Sequence, residues 1–167
     1  LLPRFYALML VLAPEIDDIA VSYRRGWDAS VSYSEALKRG LTADREHGFT
    51  RAGPQRADLR FSVGGYSAAE TLSRGQQKLL VCALKLAQGA VLSSRHSRRS
   101  LYLIDDLPSE LDAARCERVC RSIAGMSAQT LITCVDRQSL PAEWLGEKNE
   151  IAMFHVEQGE VRPEACS

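Results

Sequence analysis

The predicted helix that begins after Ser73 has, in its first turn, residue types that bind phosphate. Ser73 is followed by Arg74, Gly75, Gln76 and Lys78, and a long and almost wholly apolar segment comes after them. Ser73 and Gln76 have the spacing of a capping box, so a simple helix cap explains both residues. Free backbone amides, a small hydroxyl, a glycine and a nearby lysine are also what a phosphate site requires. Taken by itself, this segment leaves both interpretations open.

A pair of adjacent carboxylates, Asp105 and Asp106, follows a continuous apolar run over residues 101–104. Such runs are typical of strands buried on both faces of a parallel sheet, whose carboxyl ends bind ligands. Because a divalent cation relieves the repulsion between two carboxylates, we expect Asp105 to hold Mg²⁺ and Asp106 to orient an attacking water. An aspartate at a strand end is also a common turn former. On the simpler interpretation, Asp112 caps the next helix.

Two further clusters are weaker candidates. Arg95, Arg98 and Arg99 lie in a polar loop, which is either a solvated surface or a patch that contacts DNA phosphates. Cys116 and Cys120 share one helical face, but no second Cys/His pair lies nearby, so ordinary packing is favoured over a metal site.

The elements that must position these residues follow from the periodicity of the sequence. Apolar spacing and capping signals predict helices over residues 5–11, 35–44, 74–92 and 112–124. Apolar runs predict strands over residues 19–23, 59–63, 101–104, 130–135 and 151–156. Gly64 and Gly65 form the tight turn of a hairpin, and the second helix is expected to bury Ala36, Leu37 and Leu41. Helices and strands in this order indicate an α/β fold.

The composition fits one ordinary soluble domain and excludes a disordered tail, since 167 residues carry 21 basic and 21 acidic side chains and are 46% hydrophobic. A net charge of +0 gives no overall attraction for polyanions, so contact with nucleic acid requires a local patch. We expect no membrane segment and no secretion signal. Five cysteines, an odd number, indicate free thiols and a cytoplasmic protein. The chain opens without Met, and we expect it to be a piece of something longer.

Three motifs in this order resemble those of an ABC-type ATPase head. Residues 72–76 look like the signature motif, residues 101–106 like Walker B and residues 109–112 like the D-loop. With Tyr23-Arg24-Arg25-Gly26-Trp27 and residues 50–59, the chain is similar to the RecF family of bacterial recombination mediators, relatives of the SMC-type heads. The resemblance implies the C-terminal lobe of a P-loop NTPase head, with helices layered on a mostly parallel sheet. Residues 1–48 are expected to belong to the inserted helical subdomain and residues 49–167 to the lobe.

The resemblance also implies a function, an ATP-dependent clamp on double-stranded and gapped DNA that acts with RecO and RecR to load RecA. Two heads would form a homodimer around ATP and Mg²⁺, and the nucleotide would be bound by Ser73, Arg74, Gly75, Gln76, Lys78 and Asp112. Two alternatives remain. The chain could be part of another ABC-type ATPase head, either from a transporter or from an SMC-like protein, or it could be a purely structural module.

Two departures from the family pattern limit these implications. The sequence contains no Gly-x-x-x-x-Gly-Lys-[Ser/Thr] P-loop, so we expect this chain alone to bind ATP weakly or not at all. Related ATPases commonly carry a histidine after the strand over residues 130–135, where this chain has Thr133-Cys134-Val135-Asp136. No residue there is assigned as the γ-phosphate sensor, and the full-length protein is expected to be a slow ATPase.

Overall fold

The computed structural model describes residues 1–96, 99–126, 128–140 and 151–164. The first helix is α1 (Leu2–Leu12). The chain forms two units, one made of Leu1–Glu15 with Ser73–Ser167 and the other of Ile16–Leu72. The predicted boundary between residues 48 and 49 lies inside the second unit, so these units do not follow it.

The unit Ile16–Leu72 is built around a three-stranded antiparallel sheet. Its elements are β1 (Ile19–Arg24), α2 (Tyr33–His47), a 3-10 turn (Pro54–Arg56), β2 (Asp58–Val63), β3 (Tyr66–Ser67) and the single-turn α3 (Ala68–Thr71). The strand order is β1-β2-β3. Gly64 and Gly65 have φ of 57° and 83°, which confirms the predicted tight hairpin turn.

Helix α2 confirms its predicted cap but not its predicted buried stripe. The Ser32 hydroxyl accepts a hydrogen bond from the backbone N–H of Glu35 at 3.2 Å. No residue of α2 is buried, and Leu41 is 50% exposed, so the prediction of a buried Ala36-Leu37-Leu41 stripe is wrong. Apolar spacing shows which helix face prefers to turn inward, but whether another element covers that face depends on tertiary packing.

The other unit has the elements that carry the candidate motifs. They are α4 (Arg74–His96), β4 (Leu101–Ile104), α5 (Leu107–Glu110), α6 (Ala113–Ala124), β5 (Gln129–Ile132), a 3-10 turn (Arg137–Ser139), β6 (Met153–Glu157) and β7 (Glu160–Glu164). β4 and β5 are parallel, whereas β6 and β7 form an antiparallel hairpin. Strand β7 was not predicted, because it is short and fully exposed and contains Pro163, which argues against a strand interior.

The core of this unit lies where α1, α4 and α6 pack together. Its largest fully buried side chains are Phe5, Leu12, Leu79, Val119, Cys116 and Cys120. Burying a side chain such as phenylalanine or leucine contributes about 1.5–3 kcal/mol, so this three-helix contact is the main source of the unit's stability.

The parallel pair is covered on one face only. Leu101 and Leu103 of β4 are 55% and 73% exposed, and Leu131 of β5 is 51% exposed. The prediction that the run over residues 101–104 is buried on both faces is therefore wrong for the described chain. The physical reason is that a strand is buried on both faces only where a layer packs on each, and Tyr102 packs towards α4 on just one side.

Two further sequence expectations concern membrane segments and cysteines. None of the described helices has the length and apolar character needed to cross a membrane. Cys82, Cys116, Cys120 and Cys134 are free thiols, as predicted, while Cys166 lies outside the described residues.

Candidate functional site

The carboxylate pair lies where the parallel strands β4 and β5 end, and Thr133 holds it there. Asp105 and Asp106 directly follow β4, and Thr133 directly follows β5. The Thr133 hydroxyl donates a hydrogen bond to Asp105 Oδ1 at 2.6 Å and accepts one from the Asp106 backbone N–H at 2.9 Å. The Thr133 backbone N–H extends the pairing to the carbonyl of Ile104 at 3.0 Å. A single hydroxyl therefore fixes both consecutive residues.

Asp106 has a left-handed backbone that few non-glycine residues adopt. Its φ is 46° and its ψ is 45°. For an L-residue this conformation costs roughly 1–2 kcal/mol, and such strain is concentrated at functional sites. The Ser109 hydroxyl contacts both the Asp106 carboxylate Oδ2, at 2.5 Å, and the Asp106 carbonyl, at 3.1 Å. The turn into α5 thus holds the carboxylate of a half-buried Asp106 in one orientation.

The carboxylate pair fits a magnesium site of the kind completed by a nucleotide. Asp105 is exposed, and among the described residues its carboxylate has no hydrogen-bond partner besides Thr133, so Oδ2 is open to a ligand. No group of three His, Cys, Asp or Glu residues within the described ranges could hold a metal ion. Mg²⁺ commonly uses one or two carboxylates, with substrate phosphates and water as its remaining ligands. Asp105 and Asp106 supply that number.

The helix start at Ser73 forms the predicted capping box in both directions. The Gln76 backbone N–H donates to Ser73 Oγ at 3.4 Å, and the Ser73 backbone N–H donates to Gln76 Oε1 at 3.0 Å. Ser73 and Arg74 are exposed, whereas Gly75 and Lys78 are partly buried in the first turn. The capping interpretation is therefore correct, and it places the Ser73 hydroxyl at the exposed N-terminal end of α4.

Asp112 is likewise a helix cap. Its Oδ1 accepts from the backbone N–H of Arg115 at 2.9 Å, and its Oδ2 lies 3.0 Å from Arg115 Nη1. The same guanidinium lies against Gly75, because a Cβ placed on Gly75 would be 3.4 Å from Nη1. The residues that resemble the D-loop and the signature motif are therefore neighbours through Arg115. Arg115 was not predicted as a site residue, because no local motif gives a signal for it.

The structure does not bring the basic loop to the carboxylates. Arg95 is exposed near the end of α4 and Arg99 is exposed just before β4, while Arg98 lies outside the described residues. Asp105 lies at the opposite end of β4. A strand of this length separates the loop from the carboxylates by roughly 13 Å.

Cys116 and Cys120 are buried, whereas Cys134, which follows Thr133, is half-buried. Burial raises the pKa of Cys134, and the charges of Asp136 and Asp106 raise it further. Burial also raises the pKa values of Cys116 and Cys120, which lie in hydrogen-bonding contact. A thiol with a raised pKa is a poor nucleophile, and the burial of Cys116 and Cys120 is in line with the packing role predicted for this pair.

Similarity to known proteins was found at the levels of family, sequence and fold. Residues 27–162 match the family described as RecF/RecN/SMC N terminal domain. The DNA replication and repair protein RecF of Stutzerimonas stutzeri is 48% identical over 147 residues, which are 88% of this chain and 40% of that protein. RecF of Pseudomonas fluorescens Pf-5 shows the same identity and coverage. The chain thus spans 40% of the length of these curated relatives.

Solved structures show the same fold. The recombination mediator protein RecF-ATPrS in the RecFOR pathway matches 98% of this chain and 44% of that chain, with a TM-score of 0.67 and 20% identity. The RecF-ATP structure matches with a TM-score of 0.63 and 21% identity. These matches confirm the predicted α/β head fold. The matched family model is named for an N-terminal domain, so the expectation of a C-terminal portion is not confirmed. With a family match over residues 27–162, this chain belongs to the RecF/RecN/SMC N-terminal domain family.

Proposed function

We propose that this chain is part of a RecF-type, ATP-dependent DNA-binding protein that acts in DNA replication and repair. The observation that carries the proposal is the carboxylate pair held by Thr133 at the ends of β4 and β5, in a chain 48% identical to RecF proteins. Ligands in α/β sheets bind at the carboxyl ends of parallel strands, which is where this pair lies.

The start of α4 supplies the phosphate-binding half of the proposed mechanism. A hydroxyl has one donor proton and two acceptor lone pairs. In the cap, Ser73 Oγ uses a lone pair to accept from Gln76, so its proton is available to a phosphate oxygen. The N-terminus of a 23-residue helix adds a partial positive charge, and the exposed Arg74 adds a full one. The cap and the phosphate site therefore use different parts of the same hydroxyl.

The ends of β4 and β5 supply the hydrolytic half. Mg²⁺, when bound, would neutralise charge on the β- and γ-phosphates. Asp105 would hold the ion through Oδ2, while Thr133 keeps Oδ1 in place. Asp106 would accept a hydrogen bond from the attacking water, since its carboxylate is fixed by Ser109. Ser73 and Gly75 of one subunit would close on the γ-phosphate held by the partner head, which makes the dimer ATP-dependent.

The partners belong to the whole protein. We infer that the closed dimer holds double-stranded DNA at gaps and acts with RecO and RecR to load RecA, in the cytoplasm. The names of the relatives, DNA replication and repair protein RecF and recombination mediator protein RecF in the RecFOR pathway, support this inference.

The test is Ser73→Arg in the complete P-loop-containing head, compared with Ser73→Ala. Arginine at residue 73 places bulk and charge where the partner's phosphate must enter, so ATP-dependent dimerisation is lost while ATP affinity is retained. Alanine removes the cap acceptor and costs about 1 kcal/mol of stability, but leaves space for the phosphate. Nucleotide affinity by calorimetry and dimerisation by analytical ultracentrifugation are measured on the same samples.

The outcome that contradicts the proposal is equally specific. If folded Ser73→Arg dimerises with ATP as well as the unchanged protein does, Ser73 is a helix cap and no more. The site completed by a second subunit would then be wrong.

A further inference from the structure

Arg115 joins three segments of one unit that are far apart in sequence. Its Nη2 lies 3.0 Å from Glu15 Oε1, just beyond α1, and its Nη1 lies 3.0 Å from Asp112 Oδ2 at the start of α6. A Cβ on Gly75, in the first turn of α4, would be 3.4 Å from the same Nη1. One guanidinium therefore contacts the end of the α1 segment and the residues that resemble the D-loop, and lies against the signature-like turn.

The charges of Glu15 and Asp112 favour one orientation of the Arg115 guanidinium. Hydrogen bonding with Glu15 raises the pKa of Arg115, and the charge of Asp112 raises it further. A backbone hydrogen bond lowers the pKa of Glu15, and the Arg115 guanidinium lowers it further. A planar guanidinium can hold two carboxylates in a fixed direction, which the single charge of a lysine cannot do.

The first turn of α4 lies close to the Arg115 guanidinium at Gly75. Arg115 is 27% exposed, so it is partly enclosed by the segments that it joins. A Cβ at residue 75 would be in ordinary van der Waals contact with Nη1, while Glu15 and Asp112 each lie 3.0 Å from the same guanidinium.

We propose that Arg115, anchored by Glu15, is a positioning residue that makes the start of α4 and Asp112 move as one body when two heads close on ATP. The proposal rests on the proposed function, because it assumes that both segments meet a nucleotide bound by the partner. Arg115 itself touches no phosphate. Its loss weakens closure and hydrolysis but leaves ATP binding by each P-loop intact.

The experiment compares Arg115→Ala, Arg115→Lys and Glu15→Gln in the complete head with Arg118→Ala as the matched control. Arg118 is one turn further along α6 and lies 4.0 Å from Glu15 Oε2, so it shares the helix, the charge and one partner. We expect Arg115→Ala to weaken ATP-dependent dimerisation by about tenfold, within the usual range of coupling between sites. The maximal hydrolysis rate falls with dimerisation, while KM for ATP is unchanged. Arg115→Lys is intermediate, and Arg118→Ala dimerises normally.

Glu15→Gln is a second variant that tests the proposal if Arg115→Ala fails to fold. It removes the charge that anchors Arg115 and that lies more distantly from Arg118, at a residue outside every motif, and it should weaken dimerisation in the same direction by about threefold. Normal dimerisation of both folded variants, with dimerisation lost in Ser73→Arg, overturns this inference alone. If the unchanged protein does not dimerise with ATP, the proposed function and this inference are both overturned.

Discussion

At the scale of single residues, Thr133 begins the segment Thr133-Cys134-Val135-Asp136, in which no residue is assigned as the γ-phosphate sensor. Its hydroxyl cannot take up a charge as imidazole does, and its contacts are with Asp105 and the Asp106 backbone. Thr133 is therefore suited to orienting the carboxylates and not to sensing phosphate by protonation.

Thr133→Val tests this orienting role with little change of volume. Valine cannot donate to Asp105 or accept from Asp106, so the free energy of unfolding should fall by about 1 kcal/mol for these exposed bonds. In the complete head, the hydrolysis rate should fall more than the affinity for ATP. Denaturant titration and steady-state kinetics give the two quantities.

The control for Thr133 is serine, which keeps the hydroxyl and loses only a methyl group. Thr133→Ser should hydrolyse ATP at close to the unchanged rate. Equal rates for Thr133→Val and the unchanged protein would show that Asp105 and Asp106 do not need this hydroxyl.

At the scale of elements, α4 and β4 pack closely because residue 89 is a glycine. A Cβ at Gly89 would lie 1.9 Å from the Tyr102 hydroxyl and 2.8 Å from its Cζ. The Tyr102 hydroxyl donates towards the Leu86 carbonyl at 3.5 Å, and burial raises its pKa. This contact sets how near α4 comes to the strand that ends in the carboxylate pair.

Gly89→Ala should therefore destabilise the chain, although alanine is normally the better helix former. The added methyl group must displace the half-buried Tyr102 ring, which costs about 1–3 kcal/mol. Adding Tyr102→Phe should recover part of the loss, because it removes the nearest atom. Thermal unfolding of the two variants and their combination measures this coupling.

Gly125→Ala is the matched control for the same substitution. Gly125 has a φ of −73°, and a Cβ there has no neighbour closer than 3.7 Å. Alanine at this residue should stabilise by about 0.4–1 kcal/mol through the unfolded state. A Gly89→Ala variant as stable as Gly125→Ala would mean that Tyr102 moves aside freely.

At the scale of the whole molecule, nucleotide binding requires more than the segments described above. The chain contains the proposed Mg²⁺ ligands Asp105 and Asp106 and the proposed phosphate-binding residue Ser73, but no P-loop sequence. The backbone amides of a P-loop cradle the β- and γ-phosphates and supply much of the binding energy in P-loop NTPases.

We predict that this chain alone binds MgATP weakly, with a Kd of about 1 mM or above. Calorimetric titration with MgATP measures this, and the matched control is the complete head under the same conditions. A micromolar Kd for the chain alone would show that its own residues are sufficient to hold the nucleotide.

The proposed DNA binding of the whole protein is the second property at this scale. If Arg95, Arg98 and Arg99 contact phosphates, replacing all three by alanine reduces the salt dependence of duplex binding by about 0.9 per lost contact. The control replaces Arg39, Arg45 and Arg60 of the other unit, which removes the same charge elsewhere. Equal slopes for the two triple variants would assign the loop to solvent.

The sequence by itself determined the features that depend on neighbours within a few residues. The caps at Ser32, Ser73 and Asp112 and the Gly64-Gly65 turn were all predicted correctly. Each is a hydrogen bond or a backbone preference that spans at most four residues, so it is the same wherever the segment packs. The resemblance carried by ordered motifs likewise led to the correct family.

Only the tertiary structure decided which distant residues meet and which faces are covered. The contacts of Thr133 with Asp105 and of Arg115 with Glu15 span 28 and 100 residues. No periodicity encodes such pairs, because they depend on how β4, β5, α1 and α6 pack. The exposed faces of α2 and β4 were missed for the same reason, since an apolar pattern states a preference for burial and tertiary packing supplies the partner.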